Sequence, residues 1–283
     1  MCLAVLAIAD INPSDTGHHQ TEDWLWIVVA NRDETHARPS TDMQPWTEDS
    51  RILAGRDLQA GGTWLGVHSD GRFGLLTNYR EPGKQRIGTP SRGYLVEQFL
   101  RQDVTPESYL RSLQIDSAAY NGFNILAGQH GRWWHASNRA DAWMRAIQPR
   151  VPPSHDQPSR RIRVHGLSNA LLDTPWPKVR RTCDAVGALL EQGCTDFDKL
   201  SAIMQDAEPA PDAELPDTGL ALERERMVSS PFIRSPGYGT RCTTVVMQLA
   251  DASIVAQEIT YQADGSERSR SRWISNAPGW RAF

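Results

Sequence analysis

Met1-Cys2-Leu3-Ala4-Val5-Leu6-Ala7-Ile8-Ala9-Asp10 opens the chain, and its unbroken apolar run from Leu3 to Ala9 reads as a strand buried on both faces. Removal of an initiator Met is usual when the second side chain is small, and it would leave Cys2 carrying a thiol and an α-amine on one atom framework. The unperturbed amine titrates near ~7.7–8.0 and the thiol near ~8.5. The amine can therefore act as the thiol's own general base near neutrality. An incidental second-position cysteine is the plainer reading, and both stand at this point. No basic segment precedes the run and Asp10 cuts it, so it is short for a signal peptide and far short of a membrane span. A cytoplasmic protein with no membrane span is the expectation.

Working outward, Trp24 to Ala30 reads as a second buried strand, rich in β-branched and aromatic residues. It leads into Asn31-Arg32-Asp33-Glu34. Polar residues at the end of a core strand are where sites get built; the alternative is a strand-end turn with an Asx cap. Residues 35–50 read as a Pro-containing polar loop and Ile52 to Gly55 as a short strand. Gly61-Gly62 permits a tight turn or a close backbone approach. Thr63 to His68 and Arg72 to Thr77 pattern as a hairpin across Ser69-Asp70-Gly71, and the second arm ends in Thr77-Asn78-Tyr79-Arg80.

A helix over Ser91 to Gln102, with Ser91 as its cap, and another from Pro106 follow. Residues 121–126, 131–136 and 142–147 return to strand patterns. Residues 148–160 read as a loop or flap, and Ile162 to Leu167 as a strand ending in Ser168-Asn169. Asp173-Thr174-Pro175-Trp176-Pro177-Lys178-Val179 starts a helix to about Glu191, capped by Asp173 or Thr174. Helices over 196–204 and 219–228 flank an acidic, Pro-rich excursion at 205–218. The Gly-rich turn Pro236 to Arg241 feeds strands at 242–249, 253–260 and 268–275. Strands, a helix pair, strands, helices and strands in that order predict an α+β fold, a two-sheet core with helices outside, rather than alternating βαβ units.

The chain has 283 residues, 39% hydrophobic and 23% charged, with a net charge of -4. Those values suit a globular protein of one large domain or two small ones, and no internal linker divides it, so 1–283 is expected to be a single domain. Acidic and basic residues are interspersed, which argues against a nucleic-acid partner. The four cysteines form no C-x-x-C pair, no G-x-G-x-x-G or Walker lysine follows the glycines, and His18-His19 sit in a polar loop. No metal or cofactor is expected. Oligomeric state is not encoded in any pattern here.

Cys2 at one strand end, Asn31 and Asp33 at a second, Asn78 at a third, Asn169 at a fourth and Arg241 at a fifth form a recognisable kit if they converge. Cys2 would be the nucleophile. Asp33 would orient its amine or thiol. The Asn78 and Asn169 amides could donate to an oxyanion, worth roughly 2.7–4 kcal/mol per donor. Arg241 would favour the thiolate by its charge. Asn31, Arg32, Trp64, Tyr79 and Arg80 lie beside these positions and are candidate substrate contacts. Each residue alone has an ordinary structural role open to it.

Met1-Cys2, the Asn31–Glu34 tetrad, Gly61-Gly62-Thr63-Trp64-Leu65-Gly66, Leu76–Arg80, and Gly166–Asn169 with Leu172–Lys178 together resemble the NRDE family, also called transport and Golgi organisation 2-like. The resemblance spans residues 1 to about 245. It implies an N-terminal nucleophile (Ntn) hydrolase-like fold, a four-layer αββα sandwich. It also implies links to haem and to lipid or acyl-CoA handling without a settled reaction. A looser resemblance is to the Cys-type penicillin V acylases and bile salt hydrolases, which implies a nucleophilic Cys2 with Asp33, Asn78, Asn169 and Arg241 around it. Ala30 departs from that pattern, standing where those acylases have Arg. Two functions follow: a thiol amidohydrolase acting on a small-molecule amide, or a binding or trafficking protein for an apolar ligand on the same scaffold.

Overall fold

A computed structural model describes residues 2–10, 24–147, 161–276 and 279–283. His18, His19 and the loop expected over 148–160 lie outside the described residues. The elements run β1 (Cys2–Asp10), β2 (Trp24–Thr35), β3 (Ser40–Pro45), β4 (Ile52–Asp57), β5 (Leu65–His68), β6 (Phe73–Asn78), α1 (Gly93–Arg101), α2 (Pro106–Asp116), β7 (Phe123–Gln129), β8 (Arg132–Ser137) and β9 (Met144–Ile147). They continue with β10 (Arg161–Leu167), α3 (Pro177–Glu191), α4 (Phe197–Ile203), α5 (Leu222–Met227), β11 (Arg234–Ser235), β12 (Tyr238–Leu249), β13 (Ile254–Tyr261), β14 (Glu267–Asn276) and β15 (Gly279–Ala282).

Two sheets form, one in the order β10-β1-β2-β12-β13-β14-β15 with β11 on β12, the other in the order β3 to β9. Neighbours within each are antiparallel. The apolar run of β1 is explained by its place inside the first sheet. Leu3, Val5 and Ala7 meet Val179, Val186 and Leu190 of α3 on one face, and Ala4, Leu6 and Ile8 meet the second sheet on the other. Alternation of side chains makes both faces apolar. On the second sheet, Leu95, Phe99 and Leu110 of α1 and α2 pack against Ile52, Phe123 and Ile125. The layers are thus helix, sheet, sheet, helix, the α+β αββα sandwich expected. Between the sheets, Trp26 lies 5.5 Å from Phe73 and 5.1 Å from Trp133, both edge-on.

Several local expectations change. The tetrad Asn31–Glu34 lies inside β2, because Cys2 of β1 pairs with Arg32 and β12 pairs with Asp33 through Thr35. Residues 35–50 contain β3, which tolerates Pro45 because it is an edge strand; its Met43 side chain enters the inter-sheet core while the Met43 N–H donates to Glu258 at 2.6 Å. Ser91 does not cap α1: Arg92 occupies that position, and the Ser91 hydroxyl donates to the Gly61 carbonyl at 3.4 Å. α3 begins after Trp176, and Asp173 instead accepts from the Gly166 N–H at 3.1 Å and pairs with Arg145 at 2.7 Å. The hairpin across Gly71 forms as expected, closed by His68 N–H to the Arg72 carbonyl at 2.8 Å.

Candidate active site

The start of β1, the polar end of β2 and the ends of β6 and β10 meet at one edge of the sandwich. Short polar links fasten them. The Ser168 hydroxyl donates to the Cys2 carbonyl at 2.9 Å, and the Thr77 hydroxyl to the Ser168 carbonyl at 2.6 Å. The Asn169 amide donates to the Asn78 carbonyl at 2.8 Å, and the Arg80 N–H to the Asn169 carbonyl at 2.7 Å. Asn124 joins this latch through Thr77 at 3.1 Å and the Ala170 carbonyl at 2.9 Å. The Thr77–Ser168, Asn169–Asn78 and Asn124–Ala170 bonds cross from one sheet to the other, so the set fixes the first residue of β1 against the end of β6.

Strand alternation sorts the residues. Cys2 shares the face of Ala4 and Leu6, and Arg32 that of Trp26, Val28 and Ala30; both faces look into the space between the sheets. Asn31 and Asp33 continue the helix-side face of Ile27 and Val29. Ala30 and Arg32 are therefore neighbours on one face.

A cavity of about 250 Å³ opens between the sheets, and its walls include Cys2, Arg32, Asp33, Glu34, Trp64, Asn78 and Arg92. The Arg32 guanidinium, 5% exposed, lies 4.1 Å over the Trp64 ring. Arg38 and Asp57 also line the cavity and pair with each other at 2.7 Å. Of the residues expected from sequence, Cys2, Arg32, Asp33, Trp64 and Asn78 thus share one cavity. The others are placed elsewhere. Asn31 donates to the Met204 and Pro231 carbonyls at 2.8 and 2.9 Å and accepts from Thr243, tying β2 to the chain beneath it. Asn169 holds Asn78 in place. Arg80 pairs with Glu225 at 2.8 Å. The Tyr79 N–H bonds the Gly122 carbonyl, and its side chain is outside the cavity wall. Arg241 donates to the Thr35 and Arg38 carbonyls at 2.8 and 3.1 Å and does not line the cavity. The guanidinium beside the thiol is that of Arg32.

Sequence reasoning missed Arg92, Arg38, Asp57 and Lys178. Arg92 reaches the cavity because Gly62, at φ +74°, lets its turn press on Gly93, where an added Cβ would collide with backbone. The double glycine was the signal for that close approach. Arg92 itself is fastened to the Gly122 carbonyl at 2.9 Å.

Burial raises the Cys2 thiol above its ordinary range, and the Asp33 carboxylate adds to the rise; the Arg32 charge and the Asp33 backbone N–H pull it down. Burial also raises Asp33, opposed by the Lys178 charge and by the Thr240 hydroxyl, which donates at 2.7 Å. Lys178 is 1% exposed, and burial holds its amine down to about 8. A shielded thiol beside a guanidinium, with amide donors nearby, has the parts for covalent acyl transfer once a base is attached to it. Among the described residues no group of His, Cys, Asp and Glu could hold a metal ion, and no helix is long and apolar enough to cross a membrane.

Residues 1–263 match the family described as Transport and Golgi organisation 2. The chain belongs to that family. A relative from Mus musculus, a Transport and Golgi organization 2 homolog, is 31% identical over 266 residues, spanning 88% of this chain and 90% of its own. The Homo sapiens homolog is 32% identical over 251 residues, spanning 82% and 85%. Among solved structures, a mutant conjugated bile acid hydrolase from Clostridium perfringens is similar over 99% of this chain and 96% of its own, at 9% identity and a TM-score of 0.47. No residue role is carried across from it. Within this Transport and Golgi organisation 2 chain, the motif blocks separated in sequence each contribute to one edge of the sandwich: Cys2, the tetrad, Trp64, Asn78, Ser168-Asn169 and Lys178.

Proposed function

We propose that this protein is an N-terminal-cysteine amidohydrolase that cleaves a non-peptide C–N bond in a small polar amide. The observation that carries the reading is the Cys2 side chain, placed at the start of a central strand, on the wall of the cavity and beside Arg32. Loss of Met1 would put an α-amine on the same residue. That amine takes the thiol proton as sulfur attacks the amide carbonyl. The carbonyl π pair moves to oxygen, where the Asn78 amide on the cavity wall is the candidate donor. Collapse breaks the C–N bond, the leaving amine takes the proton, and a thioester remains on Cys2. Water then adds to the thioester and returns the thiol and a carboxylic acid.

The alternative occupant, an apolar ligand such as haem, a lipid or acyl-CoA, is less well served. Ala60, Trp64, Leu76 and Pro90 are the apolar side chains of a wall that also carries Arg32, Glu34, Arg38, Asp57 and Arg92. Burying such groups against an apolar surface would leave them unsolvated. The test is a panel of N-acyl amides with charged and uncharged amine parts, followed by amine release. Release by the wild type and its loss in Cys2→Ala is the expected result. Amine release unchanged in Cys2→Ala would overturn the reading, as would release from none of the panel together with tight haem or lipid binding.

A further inference from the structure

Three arginines, Arg32, Arg38 and Arg92, line the cavity together with Cys2. Arg38 is answered by carboxylates, Asp57 at 2.7 Å and Glu34 at 3.9 Å. Arg32 and Arg92 are not: among the described residues neither has a carboxylate within ion-pair distance. Their partners are neutral. Arg32 donates to the Ser40 hydroxyl at 3.4 Å and stacks on the Trp64 ring at 4.1 Å, and Arg92 donates to the Gly122 carbonyl at 2.9 Å. Enclosed arginines elsewhere in the chain are treated differently. Arg72, 4% exposed, lies 2.8 Å from Asp70, and Arg80 lies 2.8 Å from Glu225. A charge shielded from water is costly unless it is paired, and Arg32 is as deeply enclosed as Arg72.

The two guanidinium groups reach the cavity from the sides of different sheets. Arg32 belongs to β2 and stands directly across from Cys2 in the β1–β2 register; residues so paired have Cβ atoms about 4.5–5.5 Å apart. Arg92 stands at the start of α1, which packs on the second sheet. The turn from Gly61 to Trp64 joins them. Trp64 carries the Arg32 guanidinium, and the N–H of its neighbour Thr63 donates to the Gly93 carbonyl at 3.1 Å. The carboxylates of the same wall are committed elsewhere: Asp57 and Glu34 to Arg38, and Asp33 to the Thr240 hydroxyl on the helix-side face of β2.

We propose that the amide cleaved at Cys2 carries a carboxylate close to the scissile bond, and that Arg32 and Arg92 are the specificity-determining residues that bind it. A planar guanidinium donates in a fork that matches a carboxylate. The cavity, about 250 Å³, is smaller than the roughly 300–1,000 Å³ of sites for drug-sized ligands. The acid is therefore a small one, an N-acyl amino acid or the monoamide of a dicarboxylic acid. A neutral amide of the same shape leaves both guanidinium groups enclosed and without a counter-charge, and that difference is the source of the selectivity. The cleavage rests on the amidohydrolase reading above; binding of the carboxylate can be measured without it.

Two readouts on the full chain test it, with two matched pairs of probes: N-acetylglycine against N-acetylglycinamide, and N-methylsuccinamate against N-methylsuccinamide. The first needs no turnover. Cys2→Ala, labelled with ¹⁵N-arginine, is titrated with each probe at constant ionic strength, and the Arg32 and Arg92 Nε–Hε resonances are assigned with Arg32→Lys and Arg92→Lys. The acid of at least one pair should shift both resonances to saturation and bind about tenfold or more tightly than its neutral partner. Equal binding within both pairs, no saturable binding of either acid, or acid binding that leaves either resonance in place overturns the proposal. The second readout is kcat/KM for release of the amine from the preferred acid, divided by that from its neutral partner. The wild-type ratio should be about tenfold or more, and Arg32→Gln and Arg92→Gln should each lower it about tenfold. A ratio that either substitution leaves unchanged overturns the proposal. If a glutamine variant does not melt cooperatively, the lysine variant takes its place, with the same direction expected because the fork is lost. Release from no probe, with saturable acid binding kept in Cys2→Ala, sinks the amidohydrolase reading and leaves the carboxylate site standing. Equal release from acid and neutral partners sinks the carboxylate site and leaves that reading intact.

Discussion

Strand β2 begins at Trp24, and its Trp26 ring meets Phe73 and Trp133 and donates to Gln248 at 2.6 Å. Further on, the same strand ends among Asn31, Arg32 and Asp33, all buried, with Trp64 stacked on the Arg32 guanidinium. Both ends are equally enclosed, yet their chemistry is opposite. The aromatic end removes apolar area from water and needs little beyond shape. The polar end buries charges that cost stability unless each is answered, and a well-packed apolar set would hold the strand at least as firmly. A fold has no need of the second arrangement, and that is what makes this end the candidate site.

The contrast can be broken from either side. Trp26→Ala should cost about 3–5 kcal/mol, since it opens a cavity in the aromatic cluster and strands Gln248. Chemical denaturation measures that loss, and the rate of Cys2 alkylation per folded molecule should not change. Asn78→Ala should do the reverse. Turnover should fall about 10²–10³-fold if its amide serves the oxyanion, with a small change in melting temperature, because the Asn78 backbone carbonyl that Asn169 holds is kept.

A third effect acts on the latch that holds the start of β1 against the end of β6. His135, 5% exposed, sits 3.3 Å from the Asn124 side-chain carbonyl oxygen, and burial holds its pKa down to about 4. Between about 4 and the ordinary value near 6.5, the unfolded chain binds a proton that the folded chain does not. Stability therefore falls as pH drops through that window, by up to about 3 kcal/mol in all. Denaturant midpoints from pH 7 to 4 should show the decline, and His135→Gln should flatten it.

Much of the architecture was legible because the responsible signals are local. Continuous apolar runs mark strands covered on both faces, as in β1, and Asp70-Gly71 marks a hairpin. Element ends were less legible. The tetrad reads as the close of a strand, but pairing with β12 carries the strand through it, and that depends on residues more than 200 positions away. The site divides the same way. Cys2 and Asn78 stand at strand ends and Asp33 inside β2, and each was marked by a polar residue where an apolar run stops. Arg241 looked equally well placed, but a register shift between Thr240 and Cys242 turns it toward the Thr35 and Arg38 carbonyls. Arg92 and Lys178 reach the site from helix starts, where nothing in the local pattern tells which way a side chain turns.

The central claim is that Cys2 is the reacting group and carries a free α-amine. Intact-mass analysis of the protein, before and after incubation with a thiol-reactive acyl probe, tests it most directly. The expected result is a mass lacking Met1, a single acyl adduct that maps to Cys2, and no adduct at that position in Cys2→Ala. Retention of Met1 in the active protein, or an adduct that maps to Cys183, Cys194 or Cys242 with Cys2 unmodified, would contradict it.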